Sequence, residues 1–172
     1  VIREFVRLLR AMVIEEKEPT LLPTELRLSG TQPFPTSKKL YEGRKSVFNF
    51  TPCDNDYEIA FARFLDDSEE IKSFAKLTEQ FGFCIPYTDI LANLRNYYPD
   101  FVAVDTDGNH YLIETKGRDD LDVLQKDNYA RIWCEKASAL CQVNWKYIKV
   151  MQRDFEDLHP DNLEELLRMV IW

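Results

Sequence analysis

Two apolar runs joined by a glycine turn constrain this chain more than any other feature. Tyr97–Val104 and His110–Thr115 read as strands, and Asp107-Gly108 between them is a strong hairpin signal. Both runs are apolar on both faces. Phe101 and Ala103 alternate with Val102 and Val104, and Leu112 alternates with Tyr111 and Ile113. Strands buried on both sides belong at the centre of a layered α/β sheet.

The rest of the chain supplies layers for such a sheet. Residues 1–16 carry Ile2, Phe5, Val6, Leu9, Met12 and Val13 at helical spacing. Residues 17–50 are broken by Pro19, Pro23, Pro33 and Pro35 and read as a connector lying over the domain surface. Asn55-Asp-Tyr-Glu58 opens a helix to about Leu65, and Ser68 is expected to open a second one through about Glu79. Phe81–Tyr87 is expected as a strand and Leu91–Asn96 as a loop. After the hairpin come a polar loop (117–120), a helix to about Gln142, a strand over Trp145–Met151, and a last helix from Asp161 to Val170. The expected architecture is an α/β/α core, a central mixed sheet of about four strands flanked by helices. An N-terminal helix and connector (1–50) precede a domain spanning 51–172.

Composition bounds the function classes. The 172 residues suffice for one domain with a real core. No apolar run approaches the roughly 18 residues needed to cross a bilayer, so no membrane partner is expected. The four cysteines show neither Cys-x-x-Cys spacing nor a Cys/His cluster, which argues against zinc and for reduced cytosolic thiols. A net charge of −8 argues against a freestanding nucleic-acid binder. Carboxylates that hold Mg²⁺ count as negative only until the ion arrives, however, and a tethered catalytic domain leaves DNA binding to its parent. The chain begins on Val1 without an initiator Met, which is expected of a fragment.

The buried hairpin carries charges that burial should exclude. Asp100 follows Pro99 at the entry to one strand, and Glu114 and Lys116 share a face at the exit of the next. Two neighbouring carboxylates repel unless one is protonated or a cation lies between them. Carboxylate oxygens without thiolate or imidazole select Mg²⁺, with Mn²⁺ as a substitute. The bland alternative is a pair of strand-end carboxylates facing water, with Lys116 as a surface ion pair. Register separates the two. A two-residue Asp107-Gly108 turn would set Asp100 against Thr115 and send Glu114 to the other side of the sheet. A shared site demands one extra residue, either a three-residue loop with Gly108 left-handed or a bulge near Pro99.

Tyr98-Pro-Asp100-Phe-Val…Tyr111-Leu-Ile-Glu114-Thr-Lys116-Gly resembles the PD-(D/E)xK nuclease signature. Phe48-Asn-Phe-Thr-Pro52, Asn55-Asp-Tyr-Glu58, Ser73-Phe-Ala-Lys76, Asn96-Tyr-Tyr-Pro-Asp100 and Glu114-Thr-Lys-Gly-Arg118 resemble, more narrowly, the C-terminal endonuclease region of type III restriction enzymes. Trp133-Cys-Glu135 and Trp145-Lys-Tyr-Ile-Lys149 fit the same picture, and the likeness covers roughly residues 46–155. It implies a Mg²⁺-dependent DNA endonuclease in the cytoplasm. Its partners would be DNA, a helicase-like motor on the same parent chain, and a methyltransferase subunit. ATP would act only through that motor, since no Gly-x-x-x-x-Gly-Lys loop occurs here.

In the resemblance, Asp100 and Glu114 are metal ligands, the Thr115 carbonyl shares in coordination, and Lys116 orients water and steadies charge on the phosphate. Glu58 matches an acidic residue that many relatives place on the first core helix, and it reads equally as a capping-box glutamate. Gln125 and Tyr129 lie one helical turn apart in a Gln-x-x-x-Tyr pattern used by a recombination-nuclease branch to orient site and DNA. Arg118 is a candidate phosphate contact. Two other functions stay open: a nuclease-like docking module for a motor or methyltransferase, and a repair or recombination nuclease.

Overall fold

The structure, a computed structural model, describes residues 4–5, 20–22, 25–89, 91, 93–117 and 123–170. The expected helix over 1–16 lies outside the described residues except for Glu4 and Phe5, which are helical. The chain runs through β1 (Lys39–Tyr41), β2 (Thr51–Cys53), α1 (Asp56–Asp67), β3 (Ile71–Lys76), β4 (Ile85–Thr88), β5 (Leu94–Tyr97), β6 (Phe101–Asp105), β7 (His110–Lys116), α2 (Val123–Cys141), β8 (Trp145–Met151), α3 (Gln152–Leu158) and α4 (Leu163–Met169).

The centre is the expected four-stranded mixed sheet, in the order β3-β6-β7-β8, with β7 and β8 parallel and the other neighbours antiparallel. Phe61, Leu65, Phe74, Phe101, Ile113, Ile148, Leu163 and Leu166 pack on one face under α1, α3 and α4. Leu112, Tyr147, Ala130 and Cys134 pack on the other under α2. Helix α1 buries Tyr57, Phe61 and Leu65 as one stripe. Full burial of a ring such as Phe61 contributes roughly 2–3 kcal/mol. The Tyr57 hydroxyl ties this helix to β8 by donating to the Val150 carbonyl at 2.8 Å.

Strand β3 corrects the expectation of a helix over 68–79. Ser68 does not open a helix; it closes α1, its hydroxyl donating to the Phe64 carbonyl at 2.7 Å. The misleading signal was the three-residue spacing of Ile71 and Phe74. In the ladder Ile71 faces Asp105 and Ser73 faces Val104, so β3 carries one extra residue between them. That bulge turns Ile71 and Phe74 onto the same buried face, and a bulged strand imitates helical period.

Leu94–Asn96 of the expected loop joins Tyr97 in a strand that pairs with Ile85–Thr88 as a separate two-stranded sheet. The expected strand over 97–104 is two strands interrupted at Tyr98–Asp100, because Pro99 lacks the N–H a continuous ladder needs. Part of the expected connector is hydrogen-bonded to this core. Strand β1 pairs with β2, and the Lys45 carbonyl and Val47 amide bond to Phe74 along the β3 edge. The sheet edge is thereby covered.

Candidate active site

The hairpin register decides whether the two carboxylates can share a site. Phe101 stands opposite Ile113 and Ala103 opposite Tyr111, so the ladder ends with Asp100 just before its first pair and Glu114 just after it. The Asp100 amide donates to the Ile113 carbonyl at 3.1 Å, and its carbonyl accepts from Leu77 at 2.7 Å. The extra residue sits in the turn. Asp105 and Asn109 close a three-residue loop (106–108), and Gly108 takes φ +85°. Asp105 organises it: its carboxylate accepts from the amides of Asp107 (3.0 Å) and Asn109 (2.8 Å), from Asn109 Nδ2 (2.7 Å) and from the Tyr111 hydroxyl (2.8 Å). Although burial opposes its charge, these bonds hold the Asp105 carboxyl below its usual range.

Asp100 lies just before β6, and its carboxylate turns toward the α1 side of the sheet. Its Oδ2 accepts from the Thr115 amide (2.8 Å) and hydroxyl (2.7 Å), and its Oδ1 meets Lys76 Nζ at 3.0 Å. Lys76, the last residue of β3, is 3% exposed. Its ammonium also meets Glu58 Oε1 at 2.9 Å and lies 5.0 Å from the centre of the Phe101 ring. Burial alone would depress the Lys76 pKa, but Asp100 and Glu58 together outweigh it and raise the group above its ordinary value.

Glu114 is held from the α2 side. It is 6% exposed. Its Oε2 accepts from the Tyr97 hydroxyl at 2.7 Å and its Oε1 lies 3.2 Å from Lys116 Nζ. Burial first, and then the charge of Asp100, push the Glu114 carboxyl up to about 7, against the pull of Tyr97 and Lys116. Behind it runs a chain of polar groups. The Tyr147 hydroxyl lies beside that of Tyr97, Tyr147 donates to Asp127 at 2.7 Å, and Lys149 meets the other Asp127 oxygen at 2.9 Å.

The structure thus brings Asp100, Glu114, Thr115 and Lys116 together at one end of the sheet, with Glu58 joined to them through Lys76. Glu58 keeps its capping position as well: its amide donates to Asn55 and its Oε2 accepts from the Asp54 amide. Gln125 and Tyr129 are half-buried on α2, where the Tyr129 ring packs edge-on against Tyr87. It is Asp127, between them in sequence, that joins the network. Arg118 lies outside the described residues. A cavity of about 650 Å³ is an apolar groove near Val104, His110 and Trp145, and its lining does not include Asp100, Glu114 or Lys116.

Sequence reasoning missed Lys76, Tyr97, Tyr147, Asp127 and Lys149. Lys76 did leave a signal, a charge ending the apolar Phe74-Ala75 run. The expected helix there hid it.

The donor set suits a hard divalent cation. Three carboxylates (Glu58, Asp100, Glu114) and two ammoniums (Lys76, Lys116) leave one negative charge, and burial, with the charge of Asp100 added to it, raises the Glu114 pKa. Among the described residues no three Asp, Glu, His or Cys converge as a cage. Two carboxylates completed by water, backbone oxygen and substrate phosphate are what Mg²⁺ usually takes.

Residues 44–152 match the family model of an endonuclease domain. No curated protein and no solved structure matches the chain.

Proposed function

The chain belongs to this endonuclease-domain family, and from that premise we propose that it is the catalytic domain of a Mg²⁺-dependent DNA endonuclease, of the kind that ends the restriction subunit of a type III enzyme. The observation that carries the proposal is the gathering of Asp100, Glu114 and Lys116 at one end of the hairpin, with Glu114 pushed up to about 7 by burial and by the charge of Asp100. A buried carboxylate of raised pKa beside a second carboxylate is the kind of perturbed group that clusters at functional sites.

Asp100 and Glu114 would hold the ion, the Thr115 carbonyl adding a backbone oxygen. Bound there, a divalent cation supplies Lewis-acid polarisation of a phosphoryl oxygen and lowers the pKa of a coordinated water. Thr115 fixes Asp100 through two hydrogen bonds, and Tyr97 fixes Glu114 through one, so both carboxylates are oriented before substrate arrives. The Lys116 side chain is more exposed than Glu114, and its ammonium would meet a phosphate and the attacking water. Hydrolysis then breaks the P–O bond in line with the entering oxygen.

A net charge of −8 leaves most of the grip on DNA to other parts of the assembly. The motor, where ATP would act, and a methyltransferase subunit are the proposed partners, in the cytoplasm. Among the described residues no helix is long and apolar enough to cross a membrane.

Conversion of supercoiled plasmid to nicked or linear DNA, with Mg²⁺ or with chelator, tests the proposal. Asp100→Ala and Glu114→Ala should each lower cleavage by at least two to three orders of magnitude while thermal melts stay cooperative. Lys116→Ala should reduce turnover far more than Mg²⁺ affinity. Full activity in either carboxylate variant would falsify the reading.

A further inference from the structure

The ammonium of Lys76 sits where a second metal ion would have to sit. It lies 2.9 Å from Glu58 Oε1 and 3.0 Å from Asp100 Oδ1, so it separates these two carboxylates on the α1 side of the centre. A divalent ion bridging those oxygens at about 2.1 Å could not share the gap with it, for both steric and Coulombic reasons. The position is enforced by the backbone. Lys76 ends β3 opposite Phe101 in the ladder, its side chain is 4% exposed, and the Phe101 ring lies 5.0 Å from Nζ.

The other ligand capacities agree. Glu58 spends Oε1 on Lys76 and Oε2 on the Asp54 amide. An ionised carboxylate has about four acceptor positions. Asp100 uses three, on Lys76 and on the Thr115 amide and hydroxyl, and keeps one. Glu114 and Glu58 each use two and keep two, so what excludes Glu58 is the ammonium standing between it and Asp100.

We propose that Lys76 is a resident cation standing in for a second divalent ion, so that the centre loads one ion on Asp100 and Glu114, and Glu58 does not ligate it. The inference rests on the nuclease reading above and deepens it. The ammonium neutralises part of the carboxylate charge at all times, and the centre responds to a single loading step.

The test is a Mn²⁺ titration at pH 8, with free Mn²⁺ followed by electron paramagnetic resonance and melting temperature recorded in parallel. Ions that persist in Glu114→Gln are surface sites and are subtracted. The parent protein should bind one ion. Glu58→Gln should bind one ion with affinity within about twofold of the parent, although its melting temperature falls. Lys76→Met should gain a second ion, and Mn²⁺ should raise its melting temperature more than the parent's. One ion only on a folded Lys76→Met, or a tenfold loss of affinity in Glu58→Gln, overturns the inference. Should Lys76→Met fail to fold, the parent and Glu58→Gln decide alone. Two ions on the parent overturn this inference and leave the nuclease reading standing; no ion on the parent overturns both.

Discussion

The α1 side and the α2 side of the sheet hold one carboxylate of the candidate centre each, and they hold them by different physics. On the α1 side Asp100 is fixed by charge: a buried ammonium shared with Glu58, and two donors from Thr115. On the α2 side Glu114 is fixed by a neutral hydroxyl, Tyr97, backed by Tyr147 and Asp127, with Lys116 at its outer oxygen. The first half spreads one net negative charge over three mutually bonded groups, Glu58, Lys76 and Asp100. The second keeps a buried carboxylate whose ionisation is costly. One half is therefore a rigid anchor and the other is the part that a cation relieves.

The largest expected effect breaks the anchor. In chelator, Lys76→Met should lower stability by about 3–5 kcal/mol, since removing one partner of a buried ionic group leaves the others uncompensated. Urea unfolding would measure it. A loss under about 1 kcal/mol would mean that solvent screens the α1 side.

Next comes pH. The Glu114 carboxyl titrates near 7 in the folded protein against an ordinary value of 4.5, so the unfolded chain releases this proton first. Between about pH 4.5 and 7 the folded state binds more protons, and the Glu114 contribution to stability falls as pH rises, by about 3 kcal/mol in all. Chelated protein should therefore gain from Glu114→Gln at pH 8 and not at pH 4.5. Other carboxylates, such as Asp105, whose pKa is lowered, slope the opposite way, so the difference between variant and parent is the quantity to follow. A difference that stays flat with pH would remove the contrast between the two halves.

Tyr97→Phe probes the α2 side more gently. Losing one hydrogen bond to a charged group should cost about 1.5–3 kcal/mol, and it should weaken Mg²⁺ binding by freeing the orientation of Glu114. Calorimetry showing unchanged affinity would make Tyr97 a packing residue only.

The smallest effect is expected at Gly108. An added Cβ would meet open space, so Gly108→Ala suffers only the backbone cost of φ +85°, roughly 1 kcal/mol. If the loop relaxed to two residues instead, the ladder would shift by one and cleavage would be lost with it.

Several of these features were legible in the residues themselves. Alternation placed Glu114 and Lys116 on one face, the Asp-Gly pair announced the hairpin, Asn55 announced the start of α1, and Trp145–Met151 read as the strand it is. The need for one extra residue between Asp100 and Glu114 was also readable, because strand period and shared chemistry admit only one register. The residues could not say which device supplied it. That was decided by the Asp105 carboxylate gathering donors from Asp107, Asn109 and Tyr111.

The partners of the carboxylates were decided by tertiary structure. Lys76 meets Asp100 across 24 residues of sequence, Tyr97 meets Glu114 across 17, and Tyr147 meets Asp127 across 20. The pairs depend on which elements lie side by side, and the first also on the bulge in β3 that disguised an edge strand as a helix. Local sequence encodes period, caps and turns because those follow from one residue's bonds to its near neighbours. The charge environment of a buried group depends on which distant strand lies beside it, and only the assembled sheet determines that.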